Sequence, residues 1–423
     1  MRAGPSCPLL FGILLAGLLS GLTRANPASA AQRGGDGDSG PLRPHLDLNL
    51  GQPIGQCRAA PVNLGAGQPV AFLVAYCADF DVDPYPEMFF YPRDTLKLAL
   101  FTVEGRELWR RDLGRAVVPG VWFTPILPFD LDGDGVDEIY FVGNTDAQHP
   151  LSHKSRVLER LDALTGKTSG QWPWPRHLEQ APTSYSFRNF LLGGAVRGRP
   201  VLVTAQGTYG DMYLQGWDAG LQRRWETRIA SDAPGARGSH MTPVVDWDGD
   251  GRDEFFWGER LLRFDDGAEI FCADRDTYDG HSDIIQPVLD EATGRWTVYT
   301  CRESGTANYN FPARPHPPLI PRVCLYGPQG ERIWGALDRG HMDIGWVARV
   351  GPDRHPLAAA VKVGAKTAGP DGRFHDNITE YRWDARNGTP RSDGPPVYRI
   401  LPVDLDGDGP QGERIWGALD RGH

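Results

Sequence analysis

The sequence predicts an all-β chain, a β-propeller of seven or eight blades whose last unit is cut short at the C-terminal end. Three observations predict it. Composition comes first: 52 Gly, 36 Pro and 13 Trp among 423 residues, with hardly a helical stretch, describe many short strands joined by tight turns. Second, apolar strands begin near residues 60, 121, 186, 240, 283, 343 and 398. Units of this length suit a four-stranded sheet, and a sheet that cannot bury both faces stacks on its neighbours until a ring closes. Third, an acidic phrase recurs: Asp130-Leu-Asp132-Gly-Asp134-Gly-Val136-Asp137-Glu138, Asp246-Trp-Asp248-Gly-Asp250-Gly-Arg252-Asp253-Glu254, and the opening of a third copy at Asp404-Leu-Asp406-Gly-Asp408-Gly409.

Taken in order, Arg2 precedes the apolar run Leu9 to Leu22, and Ala28-Ser29-Ala30 offers small residues for cleavage, so residues 1–30 read as a secretory signal peptide. Residues 31–50 read as a polar, glycine-rich, disordered leader. The propeller is expected over 51–408. Within it each unit closes on a hairpin with an aromatic residue or Asp before the turn, a Gly in it and often a Trp after it. Examples are Phe101 to Gly105 and Trp109, Asp162 to Gly166 and Trp172, Trp217 to Gly220 and Trp225, Phe264 to Gly267, Tyr326 to Gly330 and Trp334, and Trp383 to Gly388. Residues 409–423 repeat residues 327–341 without a change. Other units share patterns and not identities, so this tail reads as a sequence artefact that interrupts the third acidic loop.

Aspartates at alternate positions, turned by two glycines, crowd carboxylate oxygens into one small volume, and such a group repels itself unless a hard cation fills it. Calcium is the expected cofactor. Its ligands are expected from Asp130, Asp132, Asp134, the Val136 carbonyl and Glu138 in one loop. In the other they are Asp246, Asp248, Asp250, the Arg252 carbonyl and Glu254. These are not EF-hands, since Trp257 stands at the twelfth position and strand-forming residues flank the loop. A solvated acidic turn without metal is the competing reading.

After the leader five cysteines remain, Cys57, Cys77, Cys272, Cys301 and Cys324, with no zinc spacing. A Cys57–Cys77 bridge across the first hairpin is one expectation, with buried thiols for the rest. The net charge of -10 argues against a nucleic-acid partner. Past the leader no stretch approaches the ~20 apolar residues of a membrane helix. A secreted or periplasmic monomer is the expectation.

Two units open on one phrase, Gly280-His281-Ser-Asp283 and Gly340-His341-Met-Asp343, and Gly238-Ser-His240 is related. His and Asp two apart on a strand share a face, so each pair can present an imidazole and a carboxylate together. The competing reading is a Gly-His pair that only ties blade to blade.

On these residues the chain resembles FG-GAP-type calcium propellers, and among them the rhamnogalacturonan lyases with an eight-bladed propeller. Gly280-His281-Ser282-Asp283 is similar to their Gly-His-Gly-Asp opening. Arg302-Glu303 falls where those lyases carry a His-Glu pair, and Arg339-Gly340-His341-Met342-Asp343-Ile344 is similar to a later Arg-Gly stretch ending in Asp-Ile. The resemblance implies β-elimination at a galacturonate next to rhamnose in pectin, which needs a cation against the uronate carboxylate, a base and a proton donor. The implied catalytic residues are His281, Asp283, Arg302, His341 and Asp343. His281 or His341 is the base, Arg302 and Arg339 hold the carboxylate, and Lys362 and Lys366 are weaker candidates. A non-catalytic, calcium-stabilised propeller that binds carbohydrate or protein at the cell surface is the alternative from a different class.

Overall fold

The computed structural model describes residues 46–84, 89–174, 186–290, 293–303, 321–337, 341–350, 354–368, 374–398, 400–403 and 413–416. The signal peptide, residues 31–45 of the leader, Arg339, the third acidic loop and the duplicated tail apart from 413–416 lie outside the described residues. The chain divides into two compact units, one holding the described residues 46–83 and 90–174, the other those from 186 onward with 84 and 89.

The first unit contains two antiparallel four-stranded sheets. Strands β1 (Gln56–Val62), β2 (Ala71–Cys77), β3 (Lys97–Phe101) and β4 (Glu107–Asp112) lie side by side in chain order. So do β5 (Ile126–Phe129), β6 (Glu138–Asn144), β7 (Arg156–Asp162) and β8 (Thr168–Pro173). The second unit repeats this meander with β9 (Asn189–Val196) to β10 (Arg199–Gln206), β11 (Met212–Trp217) and β12 (Arg223–Ile229). It continues with β13 (Val244–Val245), β14 (Glu254–Trp257), β15 (Arg260–Arg263) and β16 (Glu269–Cys272), then with β17 (Ser282–Asp290), β18 (Arg295–Arg302), β19 (Val323–Tyr326) and β20 (Arg332–Ala336). A three-stranded sheet follows, β21 (Met342–Val350), β22 (His355–Ala368) and β23 (Phe374–Asp384). Last comes the hairpin of β24 (Ile400–Val403) with β25 (Glu413–Trp416), whose second strand lies in the duplicated tail.

Side chains alternate between the two faces of a strand, so each sheet can pack on a sheet before it and one after it. On β18, Val298 packs with Phe256 and Leu261 of the preceding sheet, whereas its neighbour Tyr299 packs with Met342, Ala358 and Trp383 of the following one. In the first unit, Leu73, Leu98 and Leu100 meet Ile139, Phe141 and Leu161 in the same way.

The hairpin pattern has a physical cause. Trp109 donates its indole N–H to the Ala163 carbonyl at 2.7 Å, Trp225 to Phe264 at 2.8 Å and Trp334 to Ala385 at 2.8 Å. Each Trp is on the last strand of a sheet, and each acceptor is in the closing hairpin of the next. The ring lies over the hairpin glycine: a Cβ on Gly166, Gly267 or Gly388 would stand 2.6, 2.5 or 2.8 Å from it. These glycines also have φ of +66, +68 and +71°, a region that side chains disfavour, so turn and stacking both require them.

The expected disulfide does not form. All five described cysteines are free thiols. Gln56 is the residue directly opposite Cys77, and Cys57 faces Tyr76, so the two sulfurs point to opposite faces of the first sheet.

Candidate functional site

The two Gly-His-x-Asp phrases and His240 come together where three successive sheets of the second unit begin. Segment 237–240 runs beside 280–282 in parallel, with Arg237 N–H on the Gly280 carbonyl (2.7 Å) and His240 N–H on the Ser282 carbonyl (3.0 Å). Register breaks place a bulge at Asp283, where Ser282 pairs with Arg302 and Ile284 with Cys301. They place another at Asp343, where Met342 pairs with Lys362 and Ile344 with Val361. A bulge re-aims a side chain, and here it is an aspartate both times.

Asp283, 4% exposed, is the centre. Its Oδ2 lies 2.9 Å from His341 Nε2 and its Oδ1 lies 3.1 Å from His240 Nδ1. The same His341 nitrogen is 3.1 Å from Asp343 Oδ1. Arg188 donates to His240 Nε2 at 3.1 Å, which leaves the imidazole proton of a neutral His240 on Nδ1, facing Asp283. The His281 ring packs between His240 and Tyr209, with centroids at 4.7 and 4.6 Å. Tyr209 in turn donates to Glu303 at 2.7 Å and lies under the Arg188 guanidinium. Its backbone is left-handed, φ +68°, strain of a kind stored at functional sites.

The two phrase histidines are driven in opposite directions. Burial pushes the His281 imidazole down to about 4, so it is neutral at neutral pH. Burial also opposes charge on His341, but hydrogen bonding to Asp283 and the charges of Asp283 and Asp343 outweigh it and raise it to about 9. His341 is the more open, 43% exposed at its side chain. His281 Nε2 is buried with no hydrogen-bond partner. One ligand atom each from His240, His281 and Asp283 lie within 4.8 Å of one another, as do those from Asp283, His341 and Asp343. An orphaned imidazole nitrogen beside a carboxylate, His281 Nε2 with Asp283, suits a divalent cation.

Arg302 is elsewhere. Its guanidinium is fully buried, donating to Glu259 (3.1 Å), Asp274 (3.0 Å), the Pro321 carbonyl (3.0 Å) and Tyr326, and it covers the Tyr278 ring at 3.9 Å. This network backs the site: Glu259 accepts from Ser282 at 2.8 Å, and Tyr278 donates to the His281 carbonyl at 2.6 Å. The resemblance expects Arg302 to hold a uronate carboxylate; here its N–H groups serve buried acceptors instead. Lys362 sits opposite Met342 on β22, and the side chain of Lys366 is outside what is described. Arg188 and Tyr209, which no motif marks, and Glu303 of the Arg302-Glu303 pair complete the cluster.

The acidic loops share one scaffold. Asp130 accepts from Gly133 (2.8 Å) and Gly135 (2.9 Å), and Asp246 from Gly249 (2.9 Å) and Gly251 (3.1 Å). Ligand atoms of Asp130, Asp132 and Asp134 lie within 4.8 Å of one another, as do those of Asp246, Asp248 and Asp250. Glu138 and Glu254 each reach back to the second loop residue, accepting from Leu131 (3.3 Å) and Trp247 (2.9 Å). Burial first, then the loop aspartates, raise both carboxyls to about 7. The fourth aspartates point away: Asp137 accepts from Asn63 N–H and Asp253 from Ala195 N–H, both at 2.7 Å, tying each loop to the preceding sheet.

No family model matches the chain. It is 27% identical over 346 residues to the rhamnogalacturonan exolyase YesX of Bacillus subtilis, an alignment covering 73% of this chain and 53% of YesX. It is 26% identical over 395 residues to the rhamnogalacturonan endolyase YesW of the same organism, covering 78% of this chain and 60% of YesW. The chain thus spans little more than half the length of these relatives. Among solved structures, YesX superposes with a TM-score of 0.61 at 20% identity over 86% of this chain and 70% of that one. The Bacillus licheniformis rhamnogalacturonan lyase PL11 superposes with 0.58 at 19% identity, over 81% and 60%. The resemblance read from the Gly-His phrases therefore extends over most of the chain, in sequence and in fold, to rhamnogalacturonan lyases.

Proposed function

We propose that this chain is a secreted, calcium-stabilised β-propeller that cleaves a uronate-containing polysaccharide of rhamnogalacturonan type by β-elimination at the cluster around Asp283. The observation that carries it is one buried carboxylate holding two imidazoles, one exposed and raised, with a third, neutral imidazole packed beside them. The sheets that repeat in chain order, with Trp-on-Gly stacking between consecutive ones, support the propeller.

Elimination removes the proton beside the uronate carboxylate and breaks the bond from ring carbon to leaving oxygen, which departs as an alcohol by taking a proton from the imidazolium formed on the base or from water. A general base works best with its pKa near the operating pH, so a base raised to about 9 matches this weakly acidic proton to an alkaline reaction. His341, freed of its proton, is such a base, and Asp283 and Asp343 orient its ring and set its basicity. His281 through Nε2 and Asp283 would hold a divalent cation, which when bound would draw charge from the uronate carboxylate and acidify the proton to be lost. In the acidic loops the carboxylates of Asp130, Asp132, Asp134 and Glu138, and of Asp246, Asp248, Asp250 and Glu254, with the Val136 and Arg252 carbonyls, would hold calcium in an oxygen shell. Arg302 is structural in this reading.

The test is incubation of the full chain with rhamnogalacturonan in calcium, following ultraviolet absorbance of the unsaturated uronate. A rise lost in His341→Ala, with the melt unchanged, is expected. A folded parent that yields no unsaturated product at any calcium concentration refutes the enzyme. The alternative, a non-catalytic carbohydrate-binding scaffold, draws on the complete burial of His281 and predicts that the same protein binds the polymer intact.

A further inference from the structure

We propose that Arg58 and Gln56, side by side on the first strand of the first sheet, form a carboxylate-binding subsite for an acidic sugar. The inference rests on the reading that the ligand is a uronate-containing polysaccharide. It concerns two residues of the first unit to which no role is given above.

On β1, Gln56 pairs with Cys77 and Arg58 with Ala75, so the two side chains share a face. Arg58 donates through Nη1 to the Thr124 carbonyl at 3.1 Å. Its Nε and Nη2 are shielded from solvent and have no hydrogen-bond partner among the described residues. These two nitrogens form one edge of the guanidinium, with N–H bonds parallel and spaced to meet both oxygens of one carboxylate. Gln56 is 9% exposed, and its amide is fixed by two donations from Nε2, to the Phe80 (2.9 Å) and Pro119 (3.2 Å) carbonyls. That orientation leaves its Oε1 buried and unpaired. A forked donor for an anion thus stands two residues from an acceptor for a hydroxyl. A uronic acid carries a carboxylate and hydroxyls on one ring.

Leaving a charged donor pair unmet in the interior is costly, and proteins retain such groups where a ligand meets them. Asp81 is the charged group that acts on Arg58; its field supports the charge that burial opposes, while its carboxylate accepts from Val121 N–H at 3.0 Å. Burial lowers the Arg58 guanidinium from its ordinary value, yet an arginine remains cationic, and its Nε–Nη2 edge has no partner among the described residues.

Arg58→Lys keeps the charge and loses the fork. Calorimetric titration of the calcium-loaded full chain would use galacturonate oligomers, their carboxyl-reduced neutral counterparts, and acetate, with polymer cleavage measured in parallel. The parent should prefer acidic to neutral oligomers by about 10- to 100-fold, and Arg58→Lys should erase that preference. In the parent labelled with heavy nitrogen at arginine, the Arg58 Nε–H resonance should move on adding the acidic oligomer, a readout that does not depend on the variant folding. If the parent shows no acidic preference, or the resonance stays still, or Arg58→Lys keeps the preference, the subsite is overturned, whether or not the polymer is cleaved. Acetate competing as well as the oligomer would overturn the sugar assignment. Loss of the preference in Arg58→Lys with no cleavage by the parent sustains the subsite and removes the lyase reading alone.

Discussion

Replacing Gly267 by alanine tests the stacking of a sheet on the hairpin of the next. At φ +68° the added methyl costs ~1–2 kcal/mol from the left-handed backbone alone. The methyl would also stand 2.5 Å from the Trp225 ring and 2.7 Å from Thr227 Oγ1, so the indole has to shift. Overpacking of this kind costs ~1–3 kcal/mol, and the bond from Trp225 to the Phe264 carbonyl adds ~1 kcal/mol if it breaks. The expected total is ~2–6 kcal/mol. Gly198 is the control, in the same unit with φ +74° and nothing within 4 Å of an added Cβ, so Gly198→Ala should cost only the backbone part. Denaturant unfolding followed by circular dichroism reads both. The excess at Gly267 should vanish in a Trp225→Ala background, because the clash needs its partner. Equal losses at the two glycines, or an excess that persists without the indole, would refute the stacking argument.

Three further outcomes are expected. In chelator, stability should fall as pH rises from about 4.5 to 7, because the folded state holds the Glu138 and Glu254 protons more tightly than the unfolded chain does; calcium should abolish that slope, and a flat chelator profile in thermal melts would count against the loops as metal sites. Arg302→Leu should cost ~3–5 kcal/mol by leaving Glu259 buried and unpaired, read as a loss in denaturant midpoint, and a neutral result would return Arg302 to the list of ligand-facing residues. Cleavage should rise with pH toward about 9 as His341 loses its proton, and Asp343→Asn should move that limb to lower pH; an unmoved limb excludes His341 as the base.

What was legible in the sequence is what local chemistry dictates. A hairpin glycine under an indole needs both its own φ and a neighbour without bulk to clash, so Gly166, Gly267 and Gly388 recur at matched offsets from an Asp or aromatic residue. An aspartate that folds a turn by accepting its glycine N–H groups has to recur with those glycines, which is why Asp130 and Asp246 read as copies. The Gly-His-x-Asp phrases fall where β17 and β21 begin. Arg188 and Tyr209 were not legible because nothing near them in sequence reports their partners. Arg188 meets a histidine 52 residues on, and Tyr209 a glutamate 94 residues on. The bulges at Asp283 and Asp343 were equally hidden, since a register shift is a property of two paired strands and a sequence shows one at a time.

Arg302 shows how narrow the margin is between a site residue and its support. Arg302 and Glu303 end the same strand region, and consecutive side chains point to opposite sides. One side carries Glu259, Asp274 and Tyr278 between the sheets; the other carries Tyr209 and the histidine cluster. A reading by residue type favours the arginine, because a cation suits a uronate. The backbone decides otherwise: the Arg302 N–H goes to the Arg322 carbonyl and the Glu303 N–H to the His281 carbonyl, so Glu303 is the one held against the cluster. The cluster then holds an extra carboxylate and no Arg302 cation, which leaves the excess negative charge of Asp283, Asp343 and Glu303 to be met by Arg188, by protonated His341 and, in the proposed reaction, by a divalent cation. That balance ties the metal and the alkaline base of the proposed reaction to the parity of one strand.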